Sequence, residues 1–136
     1  MSEEDTTNGL EEMRWFIDLD WLRENRRSFS VMTQRCLCDK CRKKLKVGKG
    51  EVPAGKLITA IKSCCSKEEN FINGELPVME SIFRLLLAGG NKPVTLSELG
   101  EQLRGRRGGS HGSTSPEILY RLMANDLFYG LNQAQS

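Results

Sequence analysis

Cys36-Leu37-Cys38-Asp39-Lys40-Cys41, followed after the 22 residues 42–63 by Cys64-Cys65, is the part of the sequence that most constrains the fold. All five cysteines of the 136-residue chain lie in these two clusters. Grouped thiols in a short chain are typical of a tetrahedral metal site, because thiolates from two separate segments can bind one ion. In a region this small, such an ion would supply much of the folding free energy.

A tetrahedral ion needs four ligands, so one of the five thiols is spare. Cys38 and Cys41 have the two-residue spacing that lets a tight turn direct both sulfurs to one ion. We expect the other ligands to be Cys36 and one of Cys64 and Cys65, since adjacent residues rarely both reach the same ion. The predicted cofactor is zinc. An iron–sulfur cluster, which also uses four thiolates, and buried cysteines without metal are the alternatives.

The composition is that of a soluble globular protein, with 38% hydrophobic and 28% charged residues. No apolar run approaches the ~20 residues that cross a bilayer, and the acidic start Met1-Ser2-Glu3-Glu4-Asp5 is not a secretory signal. We therefore expect a cytoplasmic protein without a membrane partner. In that reducing compartment thiols stay free or hold metal.

The first half is predicted to contain a disordered acidic tail, residues 1–12, and a basic cysteine-clustered module, residues 13–70. In this module Asp18 or Asp20 is expected to cap a short helix that runs to Arg27. Apolar residues spaced at helical intervals predict a further helix at about 55–66. The expected fold class is mainly α, with this zinc-knuckle-like module preceding a three-helix module.

The second half is predicted to form a helical module over residues 73–131, followed by a frayed tail, residues 132–136. Thr95-Leu96-Ser97-Glu98 fits a capping box at a helix start, and Ser115-Pro116 fits another helix start. Residues 104–115, rich in Arg, Gly and Ser, are predicted to be a flexible loop.

The order of these elements resembles a winged helix-turn-helix DNA-binding domain. Its first helix would be Val78–Leu87, its small strand Pro93–Thr95, its second helix Leu96–Leu103 and its recognition helix Pro116–Phe128. The chain departs from the family in the dozen residues between its last two helices. It also has too few residues after Gly130 for a full two-stranded wing.

Basic residues give the candidate nucleic-acid contacts. Two clusters, Arg42-Lys43-Lys44 and Arg104 with Arg106 and Arg107, can pair with phosphates. The winged-helix resemblance implies that Arg121 and Asn125, on the exposed side of the recognition helix, read base edges. The predicted function is a zinc-containing, regulatory nucleic-acid-binding protein, with DNA favoured over RNA.

A zinc-stabilised protein-interaction adaptor is the alternative function. Its contact surface would be the apolar segment Trp15–Leu22, which contains both tryptophans. We do not expect an enzyme, because general acid–base and nucleophilic sites most often use His, and the single His111 lies in a Gly/Ser-rich loop. Catalysis by a cysteine nucleophile is the remaining enzymatic possibility.

Overall fold

The computed structural model describes residues 9–47, 52–107 and 115–134, and these residues are mainly helical. Residues 9–12, which lie in the predicted disordered tail, have helical conformation; residues 1–8 lie outside the described ranges. The further elements, in chain order, are β1 (Arg14–Ile17), α1 (Leu19–Glu24), α2 (Phe29–Gln34), α3 (Asp39–Lys44), α4 (Ala54–Ser63), a 3₁₀ turn (Cys65–Lys67), α5 (Val78–Ala88), β2 (Val94–Thr95), α6 (Leu96–Arg106), α7 (Pro116–Ala124) and β3 (Leu131–Gln133).

Three helices begin where local sequence signals predicted a start. The Asp18 carboxylate accepts hydrogen bonds from the backbone N–H groups of Asp20 and Trp21 at the start of α1, both at 3.1 Å. Thr95 and Glu98 form the reciprocal capping box of α6. The Ser115 side chain accepts from the N–H of Ile118 at the start of α7. These starts were predictable because a cap depends on residues no more than three positions away.

A three-stranded antiparallel sheet has β1 as its middle strand, in the order β2-β1-β3. Trp15 pairs with Val94, and Ile17 pairs with Leu131. The side chains of Trp15 and Ile17 point to the same face and are 3% and 1% exposed. The sheet therefore joins a strand of the predicted 13–70 module to two strands from the second half.

The predicted frayed tail and the predicted end of the last helix both differ from the structure. Asn132 and Gln133 belong to β3, because they pair with β1. Helix α7 ends at Ala124 instead of near Phe128. The Asp126 carboxylate accepts the backbone N–H groups of Phe128, Tyr129 and Leu131, which forms a turn instead of another helical turn. Leu127, which lies within the predicted helix Pro116–Phe128, is consequently outside the helix and 76% exposed.

One hydrophobic core contains residues from both predicted modules. Leu57 and Ile61 of α4 are fully buried, and α4 packs against α5, whose Phe83 is also fully buried. Helix α6 extends to Arg106, into the predicted 104–115 loop, of which residues 108–114 lie outside the described ranges. The two segments thus share both a core and a sheet.

Asn91 attaches β1 to the end of α5. Its Oδ1 accepts from the Ile17 N–H at 2.8 Å, and its Nδ2 donates to the Ile17 carbonyl at 2.9 Å. Asn91 has a φ of 60°, a left-handed conformation that Asn adopts more readily than most residues. The side chain therefore satisfies two backbone groups of the strand that holds the sheet together.

We expect Asn91→Ala to lower the free energy of unfolding by about 2–4 kcal/mol, because two hydrogen bonds are lost and Ala is strained at positive φ. Asn91→Gly is the matched control, since it loses the same bonds without the strain. It should be less destabilised than Asn91→Ala by about 1 kcal/mol in urea denaturation. Wild-type stability in both variants would contradict this role of Asn91.

Candidate metal centre and charged surfaces

Four cysteines converge from two separate parts of the chain. Cys38 is the residue that precedes α3, and Cys41 lies in the first turn of that helix. Cys64 ends α4, and Cys65 begins the 3₁₀ turn that follows it. The fold therefore brings the start of one helix and the end of another together. The sequence predicted that the two cysteine segments would meet, with a tight turn at Cys38 and Cys41.

The sulfur atoms are close enough to bind one ion. The Cys38 Sγ lies 3.8 Å from the Cys64 Sγ and 3.5 Å from the Cys65 Sγ. The thiols of Cys38, Cys41 and Cys64 all lie within 4.8 Å of one another. A tetrahedral zinc ion with Zn–S bonds of ~2.3 Å would hold its sulfurs ~3.8 Å apart. The cluster can therefore hold a metal ion with little rearrangement.

Both adjacent cysteines reach Cys38, which differs from our expectation that only one of them would. The helical conformation stops at Cys64, where φ is −134° and ψ is −66°. Because the backbone changes direction between the two residues, both sulfurs lie within 3.8 Å of the Cys38 sulfur, although only Cys38, Cys41 and Cys64 lie within 4.8 Å of one another. A helix that continued to residue 66, as predicted, would have directed them about 100° apart.

Cys36 is the cysteine that the structure separates from this group. Its Sγ lies 3.9 Å from the Met32 carbonyl oxygen, within its own helical segment. Burial raises the pKa of the Cys36 thiol to about 11, so the thiol is neutral and unreactive at physiological pH. Cys36, which we expected to be a ligand, is therefore not one of the three thiols that lie within 4.8 Å of one another.

The clustered thiols differ in their electrostatics. Burial raises the pKa of Cys41 and of Cys65. The backbone N–H of Cys41 lowers the pKa of Cys38, since it stabilises the thiolate. The Cys38 N–H in turn donates to the Cys65 sulfur at 3.2 Å. A metal ion that binds here must therefore displace protons from the buried thiols, which makes its affinity depend on pH.

A buried charged cluster around Glu80 was not predicted from the sequence. Glu80 on α5 is 6% exposed. Its carboxylate accepts from Arg35 at 3.0 Å, from Arg84 at 3.1 Å and from the Tyr129 hydroxyl at 3.0 Å. Burial and the neighbouring Glu80 raise the pKa of Tyr129 to about 12. The only sequence signal was the Glu80–Arg84 spacing of four residues, which also occurs in many exposed helical pairs.

The predicted nucleic-acid contacts lie on several elements. Arg42, Lys43 and Lys44 are exposed in the last turn of α3. Arg104 and Arg106 are exposed on α6, where Arg106 donates to the Ser66 carbonyl at 3.1 Å. The structure therefore places these cations on the surface, as phosphate contacts require.

Arg107 is less exposed than Arg121 and Asn125. Arg107 is half-buried and donates to the Leu76 carbonyl and, at 3.0 Å, to the Ser81 hydroxyl. It therefore stabilises the fold, and its replacement would affect more than a phosphate contact. Arg121 and Asn125 are both exposed on α7 and its C-cap, where the Asn125 amide donates to the Arg121 carbonyl at 2.9 Å.

Comparison with protein-family models, with curated proteins and with solved structures finds no match to this chain. In residues 9–47, 52–107 and 115–134, none of the helices has the length and apolar character that a membrane span requires.

We expect Glu80→Gln to lower the free energy of unfolding by about 2–3 kcal/mol, because the buried carboxylate charge is lost while Arg35 and Arg84 remain beside a neutral amide. Denaturation in urea measures this effect. Glu101→Gln, on the exposed face of α6, removes the same charge and should change stability by less than about 0.5 kcal/mol. Equal effects of the two substitutions would show that the Glu80 cluster contributes nothing specific.

Proposed function

We propose that this protein is a zinc-stabilised nucleic-acid-binding protein in which Cys38, Cys41, Cys64 and Cys65 bind a single zinc ion. The observation that carries the zinc assignment is the sulfur spacing of 3.5–3.8 Å around Cys38. This spacing is close to the edge of a tetrahedral zinc–thiolate site. The ion would join the start of α3 to the end of α4.

Zinc fits this spacing better than an iron–sulfur cluster does. A cluster with several irons distributes its thiolates over different iron atoms, so the cysteine sulfurs must lie further apart than around a single ion. Four thiolates are also the ligand set of closed structural zinc sites. The proposed role of the ion is therefore structural, with no open coordination position for a substrate.

The element order in the second half supports the winged-helix part of the proposal. Helix α5, strand β2, helices α6 and α7 and strand β3 follow one another as in that resemblance. Only one strand follows α7 in the described chain, but β1 pairs with it along its length. In this proposal the N-terminal strand β1 is the second strand of the wing, because the residues after Gly130 are too few to form two strands.

Helix α7 would then be the element that contacts bases. Arg121 is exposed on it, and its guanidinium suits the acceptor pair of guanine. Asn125 donates to the Arg121 carbonyl, so its amide oxygen is the part that can accept from a base. The cations at the end of α6 and on α3 would contact phosphates, which position a protein without reading sequence. Regulation of a nucleic-acid target would follow from such binding.

A protein-interaction adaptor is the second candidate, because the chain exposes an apolar pair. Leu127 and Phe128 are 76% and 39% exposed in the turn after α7. The predicted contact segment Trp15–Leu22 offers less, since Trp15, Ile17 and Leu22 are buried in the core. A stable protein complex without any nucleic-acid binding at low salt would favour this candidate.

We expect the purified protein to contain about one equivalent of zinc and to be colourless, because the four thiolates fill the coordination sphere of one ion. Replacing Cys38, Cys41, Cys64 or Cys65 singly by Ser should lower zinc content and the melting temperature. Elemental analysis and thermal denaturation measure both quantities.

Cys36→Ser is the matched control for the zinc experiment. It removes a buried cysteine that lies outside the group, so zinc content should equal that of the wild type. A brown protein would contradict the zinc assignment. The proposed ligand set would be contradicted if Cys36→Ser lost the metal while Cys64→Ser or Cys65→Ser kept it.

We expect the zinc-loaded protein to bind duplex DNA with an affinity that falls steeply as salt rises, because phosphate contacts release counterions. Arg121→Ala should cost about 1–3 kcal/mol on the preferred sequence and reduce sequence preference. Arg23→Ala, which removes an exposed arginine of α1 paired with Asp20, should retain that preference. Absence of binding to both DNA and RNA at low salt would reject the proposed function.

A further inference from the structure

A groove of about 780 Å³ lies between α3 and α4, beside the cysteine cluster. One wall is formed by α3, and the other by the start and the exposed side of α4. Cys41 and Cys64, two of the proposed zinc ligands, are part of its lining. The ion would therefore hold both walls of the groove in place.

The lining of the groove is positively charged. Lys40 and Lys44 lie on α3, four residues apart and hence on one face of that helix. Lys56 faces them from α4, and no Asp or Glu is among the described residues that line the groove. Three ammonium groups are thus brought to one concave surface.

The positive charge of the side chains around the groove is larger than the negative charge of a zinc–thiolate site. Residues 39–47 and 52–60, which contain most of the described lining, carry six lysines and arginines and a single acid, Asp39. A zinc ion with four thiolates has a net charge of −2. The surface around the groove therefore stays strongly positive with zinc bound, and it attracts a polyanion.

We propose that this groove binds the phosphodiester backbone of a nucleic acid. This inference rests on the proposed nucleic-acid function and adds to it a site on the opposite module from α7. Lys40 and Lys56 were not among the contacts predicted from the sequence, and only the fold brings Lys56 to the groove that Lys40 and Lys44 line.

The chemistry of the groove favours a nucleic acid over an acidic protein. Protein interfaces are enriched in aromatic residues and depleted in Lys, whereas Lys is a common phosphate contact in nucleic-acid complexes. The described lining contains three lysines and no aromatic side chain. Without aromatic rings to stack on bases, the groove contacts the backbone, and its contribution is independent of sequence.

The test uses a groove variant, Lys40→Gln with Lys44→Gln and Lys56→Gln, in the full zinc-loaded chain. Binding to duplex DNA is measured by fluorescence anisotropy over a series of salt concentrations. Loss of three phosphate contacts should reduce the slope of log K against log salt by about 2–3. Affinity at low salt should fall at least tenfold, equally on all sequences.

The matched control is Lys62→Gln with Lys67→Gln and Lys92→Gln. These three lysines are exposed and do not line the groove, and the variant has the same net charge as the groove variant. We expect its salt slope to stay within about one unit of the wild type. Zinc content and melting temperature should equal wild type in both variants.

Three results would overturn the inference. In the first result, the groove variant has the salt slope and the affinity of the wild type, while Arg121→Ala reduces binding. This result would reject the groove as a binding site and retain the proposed nucleic-acid function. Equal losses in the groove and control variants would show that overall charge, and not this groove, determines affinity. In the third result, the wild type binds no nucleic acid, and a column of acidic protein retains the wild type but not the groove variant. This result would reject both proposals and assign the groove to a protein partner.

Discussion

The contacts of the Cys38 sulfur with the sulfurs of Cys64 and Cys65 join the start of α3 to the end of α4. Helix α3 has six residues, which is too short to be stable by its own hydrogen bonds. Helix α4 is anchored on its other side, because Leu57 and Ile61 are buried against the core that includes α5. The sulfur group therefore connects a short basic helix to the hydrophobic core.

Strand β1 connects the two halves of the chain. As the middle strand, it pairs with β2 and β3, which belong to the second half of the chain. Asn91 adds two hydrogen bonds to the backbone of this strand. Together with the shared core, the sheet gives the two halves a fixed relation. In the proposed function, the groove would contact phosphates and α7 would contact bases.

Local signals in the sequence predicted part of this structure correctly. Asp18, Thr95 and Ser115 mark helix starts because a side-chain oxygen close in sequence satisfies free backbone N–H groups. The clustering of cysteines predicted that the two segments would meet. The prediction that Cys36 is a ligand stays a prediction, while Cys64 and Cys65, which we expected not to reach one ion together, both lie within 3.8 Å of the Cys38 sulfur. The end of α4 at Cys64 determines this geometry, and helical periodicity does not reveal it.

By itself, the sequence determined the helical character of the chain, its cap residues, the two basic clusters and the convergence of the cysteine segments. Only the tertiary structure decided that Arg14–Ile17 and Leu131–Gln133 are strands, since each is too short to form without a partner from the far end of the chain. The fold likewise decided that Glu80 is buried between two arginines and that Lys56 faces Lys40 and Lys44. These features are pairings between residues distant in sequence, and their energies depend on burial and separation in space, which local periodicity does not encode.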